Sequence, residues 1–91
     1  MENKSKVYVR VTASFDPEGT LLPEVITWED GTAYPIDRVL DIRPSFSAKA
    51  GSQGDRYMVR LGNHYSYLFF ERNAVAQGNL LGRWFVERQL A

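Results

Sequence analysis

The residues best placed to do chemistry are arginines and tyrosines in the central stretch Asp55 to Glu71. Gly62-Asn63 predicts a two-residue hairpin turn there, because glycine adopts positive φ and asparagine tolerates it. The turn sets a register in which Arg60 faces Tyr65, and side chains alternate between the two faces of the hairpin. One face then contains Arg56, Met58, Arg60, Tyr65, Tyr67 and Phe69.

This face has the composition of a binding surface. Aromatic rings on a sheet can stack nucleobases while arginines hold the phosphates between them. The same residue types also anchor protein–protein interfaces. Arginine stacked on tyrosine is equally common on exposed strands that bind nothing. The candidate contact residues are Arg56, Arg60, Tyr65 and Tyr67, together with Lys49 from the preceding loop.

The opposite face of the hairpin is predicted to be core. It is mostly apolar, and its members are Tyr57, Val59, Leu61, Leu68 and Phe70, with His64 and Ser66. The loop before the hairpin, 49–56, is rich in glycine, and Lys49 and Arg56 flank it. Backbone N–H groups in such a loop can cradle a phosphate. The spacing does not match a P-loop and no helix follows, so a flexible connection between strands is the competing interpretation.

Catalytic and metal-binding chemistry find little support. The acidic residues Glu29, Asp30, Asp37 and Asp41 lie near turns and basic residues, which favours structural roles over acid–base work. His64 lies beside the hairpin turn, where exposure is the usual outcome, and no serine has a GxSxG or SxxK context. The chain has no cysteine and one histidine, which excludes thiolate and multi-histidine metal sites. We therefore expect no cofactor, no metal and no enzymatic activity.

The elements that position these residues are strands. Strict alternation over Lys6 to Phe15 predicts a half-buried first strand, and Asp16 to Gly19 predicts the turn that ends it. Shorter strands are predicted at 21–28, 32–36, 37–43 and 83–88, with Tyr34 and Ile36 inward and Pro44 ending the fourth strand. We expect residues 1–5 to be disordered.

Two segments are not predicted to be strands. Residues 45–54 combine glycines and serines, which indicates a mobile loop. Residues 73–82 are interpreted as a helical turn or a loop. The chain is thus predicted to be all-β: one domain, 1–91, with six to seven short strands, at most one short helical turn, and the form of a small antiparallel barrel or compact sandwich of the SH3-like kind.

Six runs carry a resemblance to known proteins: Ile26–Gly31, Tyr34–Arg43, Lys49–Gly51, Arg56-Tyr57, Tyr67–Glu71 and Arg83–Glu87. The chain resembles a group of small uncharacterised single-domain proteins of Gram-positive anaerobic bacteria. The resemblance extends over nearly the whole chain. It implies a cytoplasmic bacterial protein with one all-β domain, and it implies no activity, cofactor or catalytic residue.

The sequence leaves three hypotheses of function. The first is a non-catalytic module that binds a protein or associates with itself through an edge strand, and the second is nucleic-acid binding through the arginine and tyrosine face. A small enzyme ranks last. The formal net charge is zero, so any electrostatic attraction must be local. The chain has no signal peptide and no apolar stretch long enough to span a membrane, so we expect a cytoplasmic protein that does not bind membranes.

Overall fold

Seven antiparallel strands form one curled sheet in the computed structural model, which describes residues 3–47 and 52–90. The strands are β1 (Asn3–Phe15), β2 (Leu21–Thr27), β3 (Ala33–Pro35), β4 (Arg38–Ser47), β5 (Ser52–Leu61), β6 (His64–Gln77) and β7 (Leu80–Leu90). Their order in the sheet is β3-β2-β1-β7-β6-β5-β4. The predicted all-β class and small barrel-like form are confirmed. The described ranges contain no helix capable of crossing a membrane.

The sheet curls because its two longest strands change partners along their length. The first half of β1, 3–9, pairs with β7, while its second half, 10–15, pairs with β2. In the same way β6 pairs first with β5 and then with β7. A strand shared between two ladders must bend, and this bend turns a flat sheet into a half-barrel.

The two edges of the sheet are joined through two residues. Ile36 and Asp37 connect β3 at one edge to β4 at the other. The Ile36 N–H donates to the Glu24 carbonyl of β2 at 2.8 Å, and the Asp37 N–H donates to the Arg60 carbonyl of β5 at 2.9 Å. The corner therefore holds the sheet curled at this end. Within the described residues no backbone hydrogen bond joins the two edges at the opposite end, which we call the open end.

The core lies on the concave face and is built largely by the central hairpin. The predicted hairpin register is confirmed over eight residue pairs, from Leu61↔His64 to Gly54↔Glu71. Val59 and Leu68 are fully buried, and Tyr57 packs against Trp84 with 5.2 Å between ring centroids. The face predicted to be core is the inner face, and the arginine and tyrosine face is the outer one.

The first turn forms as its sequence predicts. The Asp16 side chain accepts hydrogen bonds from the N–H groups of Glu18 and Thr20, at 3.0 and 2.8 Å. The Gly19 N–H donates to the Asp16 carbonyl at 2.9 Å, with φ of 91° at Gly19. Asp16 satisfies backbone donors that a tight turn leaves free, which stabilises this turn geometry.

The prediction that Pro44 ends the fourth strand is wrong. β4 continues to Ser47, and Pro44 pairs with Asp55. The physical reason is position, because β4 is an edge strand and a proline whose nitrogen faces outward removes no ladder hydrogen bond. The loop predicted at 45–54 is correspondingly shorter: 45–47 and 52–54 are paired strand residues, and 48–51 lie outside the described residues.

Two further predictions are wrong. Residues 73–82 form neither a helical turn nor a loop, since 73–77 extend β6 and 80–82 begin β7. Residues 3–5, predicted to be disordered, pair with β7, and residues 1 and 2 lie outside the described ranges. Tyr34 lies on the inner face as predicted, opposite the buried Ile26, yet it stays 44% exposed because β3 is a three-residue edge strand with little sheet beside it.

Candidate functional site

The outer face of β4, β5 and β6 brings four of the five predicted contact residues together. Arg60 pairs directly with Tyr65 across the hairpin, and Arg56, two rows further along the same face, pairs with Phe69 and lies diagonally beside Tyr67. We call this the arginine–tyrosine surface; it comprises Arg38, Arg43, Arg56, Arg60, Tyr65 and Tyr67. The fifth predicted residue, Lys49, lies outside the described residues.

Two of these arginines were not predicted. Arg38 pairs with Arg60, and Arg43 pairs with Arg56, so β4 adds one cation to each of two rows. The sequence signal was hidden by a β-bulge between Val39 and Asp41, which changes the alternation within β4. The pairing of β4 with β5 could not be inferred from the sequence either.

The rings of the arginine–tyrosine surface are presented unequally. The Arg56 guanidinium lies 4.6 Å from the Tyr67 ring centroid and covers that ring. Phe69 is stacked on Phe85 at 4.9 Å with an interplanar angle of 6°. Tyr65 is 66% exposed and is the most open ring of the surface. The surface therefore offers one open ring, one ring that shares a face with Arg56, and several guanidinium groups.

Charge on this surface is mostly unbalanced. Arg43 forms an ion pair with Asp41 at 2.6 Å, and Arg60 donates to the Gly62 carbonyl at 3.0 Å. Among the ion pairs formed by the described residues, Arg43 is the one arginine of the four with a carboxylate partner. The Asp41 carboxylate raises the pKa of Arg43 further above its ordinary value. The surface is a local cationic patch on a neutral protein.

The predicted acidic candidates occupy structural positions. Asp37 accepts from the Gly62 N–H at 2.6 Å, and Asp30 accepts from the Thr32 N–H at 2.9 Å, which lowers the pKa of Asp30. Glu29 pairs with Arg88 at 3.1 Å. His64 is exposed beside its turn. The predicted phosphate cradle is not formed by 52–56, because these residues lie in the extended strand β5.

A second polar cluster lies on the outer face, where β1, β6 and β7 meet, and sequence reasoning did not find it. Glu71 accepts hydrogen bonds from Lys6 at 2.6 Å, from the Tyr8 hydroxyl at 3.1 Å and from Arg83 at 3.3 Å. We call these four residues the Glu71 network. The Lys6 hydrogen bond, helped by Tyr8 and Arg83, lowers the pKa of Glu71 below its ordinary value of 4.5 even though burial raises it.

The Glu71 network predicts a pH-dependent contribution to stability. Because the folded-state pKa of Glu71 is lowered, the contribution is present above the ordinary pKa of a glutamate and is lost as pH falls through the folded-state pKa. Glu71→Gln should therefore destabilise the protein by about 1 kcal/mol at neutral pH, a value reduced by the exposure of Lys6 and Arg83. Urea unfolding of both proteins from neutral to acidic pH measures the difference, which must shrink on acidification; a constant difference would contradict the ionic origin.

The open end of the half-barrel contains a cleft on the concave face. It has a volume of about 500 Å³ and lies between the β1–β2 turn and side chains of β4, β5, β6 and β7. Tyr57 lies at its base and donates its hydroxyl to the Leu21 carbonyl at 2.7 Å. Burial, with the nearby Asp55 charge, raises the pKa of Tyr57 to about 12, so this hydroxyl stays protonated at neutral pH.

These three places, the arginine–tyrosine surface, the Glu71 network and the cleft, are where the described chain could meet another molecule. Within residues 3–47 and 52–90, histidines and acidic residues nowhere gather in a group of three that could hold a metal ion. Comparison of the chain with protein-family models, with curated proteins and with solved structures gives no match.

Proposed function

We propose that this protein is a non-catalytic binding module whose arginine–tyrosine surface engages an acidic segment of a partner protein. The observation that carries the proposal is the pairing of four arginines in two rows of the outer face, one of which contains the exposed Tyr65. Among the described ion pairs, Arg43 alone of the four has a carboxylate partner. Arginine and tyrosine are the residues that most often anchor protein interfaces. A guanidinium group binds a carboxylate through two parallel hydrogen bonds.

The state of the rings favours a protein over a nucleic acid. A base-stacking platform needs several open ring faces in succession. Here Arg56 occupies one face of Tyr67, which is 43% exposed, and Phe69 is stacked on Phe85, so Tyr65 is the more open of the two tyrosines. A guanidinium group lying over a ring still presents its N–H edges, so Arg56 remains able to bind a carboxylate while stacked.

Binding through the outer face, rather than through an edge strand, also agrees with the structure of the two sheet edges. An exposed edge strand can pair with another chain through its free backbone groups. At one edge, β3 has three residues and ends in Pro35; at the other, β4 contains Pro44. Proline removes a donor and interrupts such pairing. This argues against the hypothesis of self-association through an edge strand.

The test compares two charge-matched probes. We expect a fluorescently labelled peptide rich in aspartate, glutamate and tyrosine to bind more tightly than a single-stranded oligonucleotide of equal charge, with both affinities measured by anisotropy at physiological salt. The double substitution Arg56→Gln and Arg60→Gln should weaken peptide binding by about tenfold or more, because each arginine contributes a charge-assisted hydrogen bond.

The matched control is Arg10→Gln, which removes one exposed arginine from β1, two strands away from β6 in the sheet. It should leave peptide binding unchanged. None of these substitutions should alter the free energy of unfolding by more than about 1 kcal/mol. Equal weakening by Arg10→Gln would mean that binding is nonspecific. Tighter binding of the oligonucleotide, with a steep dependence on salt, would favour the nucleic-acid hypothesis instead.

A further inference from the structure

The cleft at the open end of the half-barrel has an apolar wall that solvent can reach. Its apolar lining residues are Phe15, Leu21, Ile42, Phe70 and Leu81. Phe15 is 60% exposed, Leu81 49% and Ile42 38%. Single exposed apolar side chains are ordinary on a protein surface, whereas several grouped around one concavity are typical of a ligand site. The volume of about 500 Å³ falls in the range of small-molecule sites, roughly 300–1,000 Å³.

Polar groups converge on the same cleft. Arg72 forms an ion pair with Asp55 at 2.7 Å, and its side chain is 53% exposed whereas that of Asp55 is 19% exposed. Asp55 thus binds one terminal nitrogen, Nη2, of the guanidinium, while about half of the Arg72 side chain is accessible to solvent. A guanidinium has five N–H donors, and the described contacts of Arg72 use one nitrogen. The Tyr57 hydroxyl is committed to Leu21, so Arg72 is the group with spare capacity.

We propose that this cleft binds an aliphatic carboxylate. The chain lies against the apolar wall, and the carboxylate accepts hydrogen bonds from the outward nitrogens of Arg72. The ligand matches the site in chemistry and position, because a single cation, Arg72, lines the cleft beside its apolar wall. Asp55 keeps Arg72 oriented, so the ligand binds a group that is already positioned. The site lies on the opposite face from the arginine–tyrosine surface and does not depend on the function proposed above.

The proposal predicts that affinity depends on both the length of the aliphatic chain and the carboxylate of the ligand. With ¹⁵N-labelled protein and ligands below their micelle-forming concentrations, octanoate, decanoate and decanol are titrated and followed by backbone amide shifts. Decanoate should bind about fifteenfold more tightly than octanoate, because each of its two additional methylenes improves affinity about fourfold when buried. Decanoate should also bind about tenfold more tightly than decanol, which lacks the charged acceptor. The shifts should be centred on Phe15, Ile42 and Leu81.

Three variants separate the contributions. Arg72→Gln should remove the preference for decanoate over decanol. Because this variant leaves Asp55 without its partner, Phe15→Ser serves as a second test: Phe15 is largely exposed, so the fold should be retained while both ligands bind several-fold more weakly. Arg60→Gln, on the other face, should leave decanoate binding unchanged. It should weaken only the acidic peptide, so that the two sites are tested independently.

Several results would overturn the proposal. Amide shifts absent or scattered over the whole surface would mean that the cleft is no binding site. Equal affinities of the wild-type protein for decanoate and decanol would refute the role of Arg72. Unchanged decanoate binding by Phe15→Ser would show that the apolar wall takes no part.

Discussion

Replacing Gly54 by alanine is expected to destabilise the protein by about 3 kcal/mol or more, a large part of the roughly 5–15 kcal/mol that stabilises a domain. Gly54 is buried in β5, paired with Glu71 on one side and Ser45 on the other. A Cβ atom at this position would overlap the Phe70 carbonyl group and lie 3.2 Å from the Glu71 Cα. Backbone atoms of a neighbouring strand cannot rotate away, so β5 and β6 would have to separate.

The matched control is Gly78→Ala in the β6–β7 turn. Gly78 has φ of 58° and nothing within 4 Å of a Cβ atom, so alanine there meets strain without overlap and should cost about 1 kcal/mol. Urea unfolding followed by circular dichroism measures both variants. Equal midpoints for the two would show that β5 and β6 relax around a Cβ at Gly54, and the close approach of these strands would then have no energetic importance.

The central hairpin could be predicted from sequence because its information is local. Gly62-Asn63 allows the two-residue turn, and the turn fixes every pair of the two strands that leave it. Alternation then separates Val59 and Leu68 inside from Arg60 and Tyr65 outside. The candidate contact surface followed from the same reasoning, which is why its hairpin residues were correctly grouped.

The edge strand β4 could not be predicted, because its form depends on its position in the sheet. A proline ends a strand when every backbone nitrogen must pair with a neighbour. Pro44 is tolerated because β4 lies at the edge of the sheet, where one side of the strand has no neighbour. The bulge at Leu40 changes which side chains face outward, and no local pattern marks it. Arg38 and Arg43 therefore joined the arginine–tyrosine surface only once the pairing of β4 with β5 was known.

The segment 73–77 illustrates how tertiary pairing overrides composition. Its run Ala-Val-Ala-Gln is as compatible with a helical turn as with a strand. The chain adopts the strand because Gln77 pairs with Leu80 across a tight turn and Arg72 pairs with Gly82. The Glu71 network was missed for a related reason: Lys6 and Glu71 are 65 residues apart in the chain, and only the pairing of β1 with β7 brings them together.

Leu68→Ala is the second substitution with a large expected effect, and it tests where the core lies. Leu68 is fully buried on the concave face, between Tyr57 of β5 and the side chains of β7. Truncation loses the burial of the removed carbons and leaves a cavity in a sheet that curls around it, so we expect a loss of about 2–5 kcal/mol. Chemical unfolding gives this value directly.

Leu80→Ala is the control, since it removes the same atoms from a side chain that is 66% exposed. The Leu80 carbonyl, which accepts from the Asn73 side chain at 2.7 Å, is retained, so this variant should stay within about 0.5 kcal/mol of the wild type. A half-barrel with one inner core requires this contrast, because its stability comes from the concave face. Similar losses for the two leucines would mean that β7 and its turn are covered in solution by another surface, and the core would then extend beyond the single curled sheet.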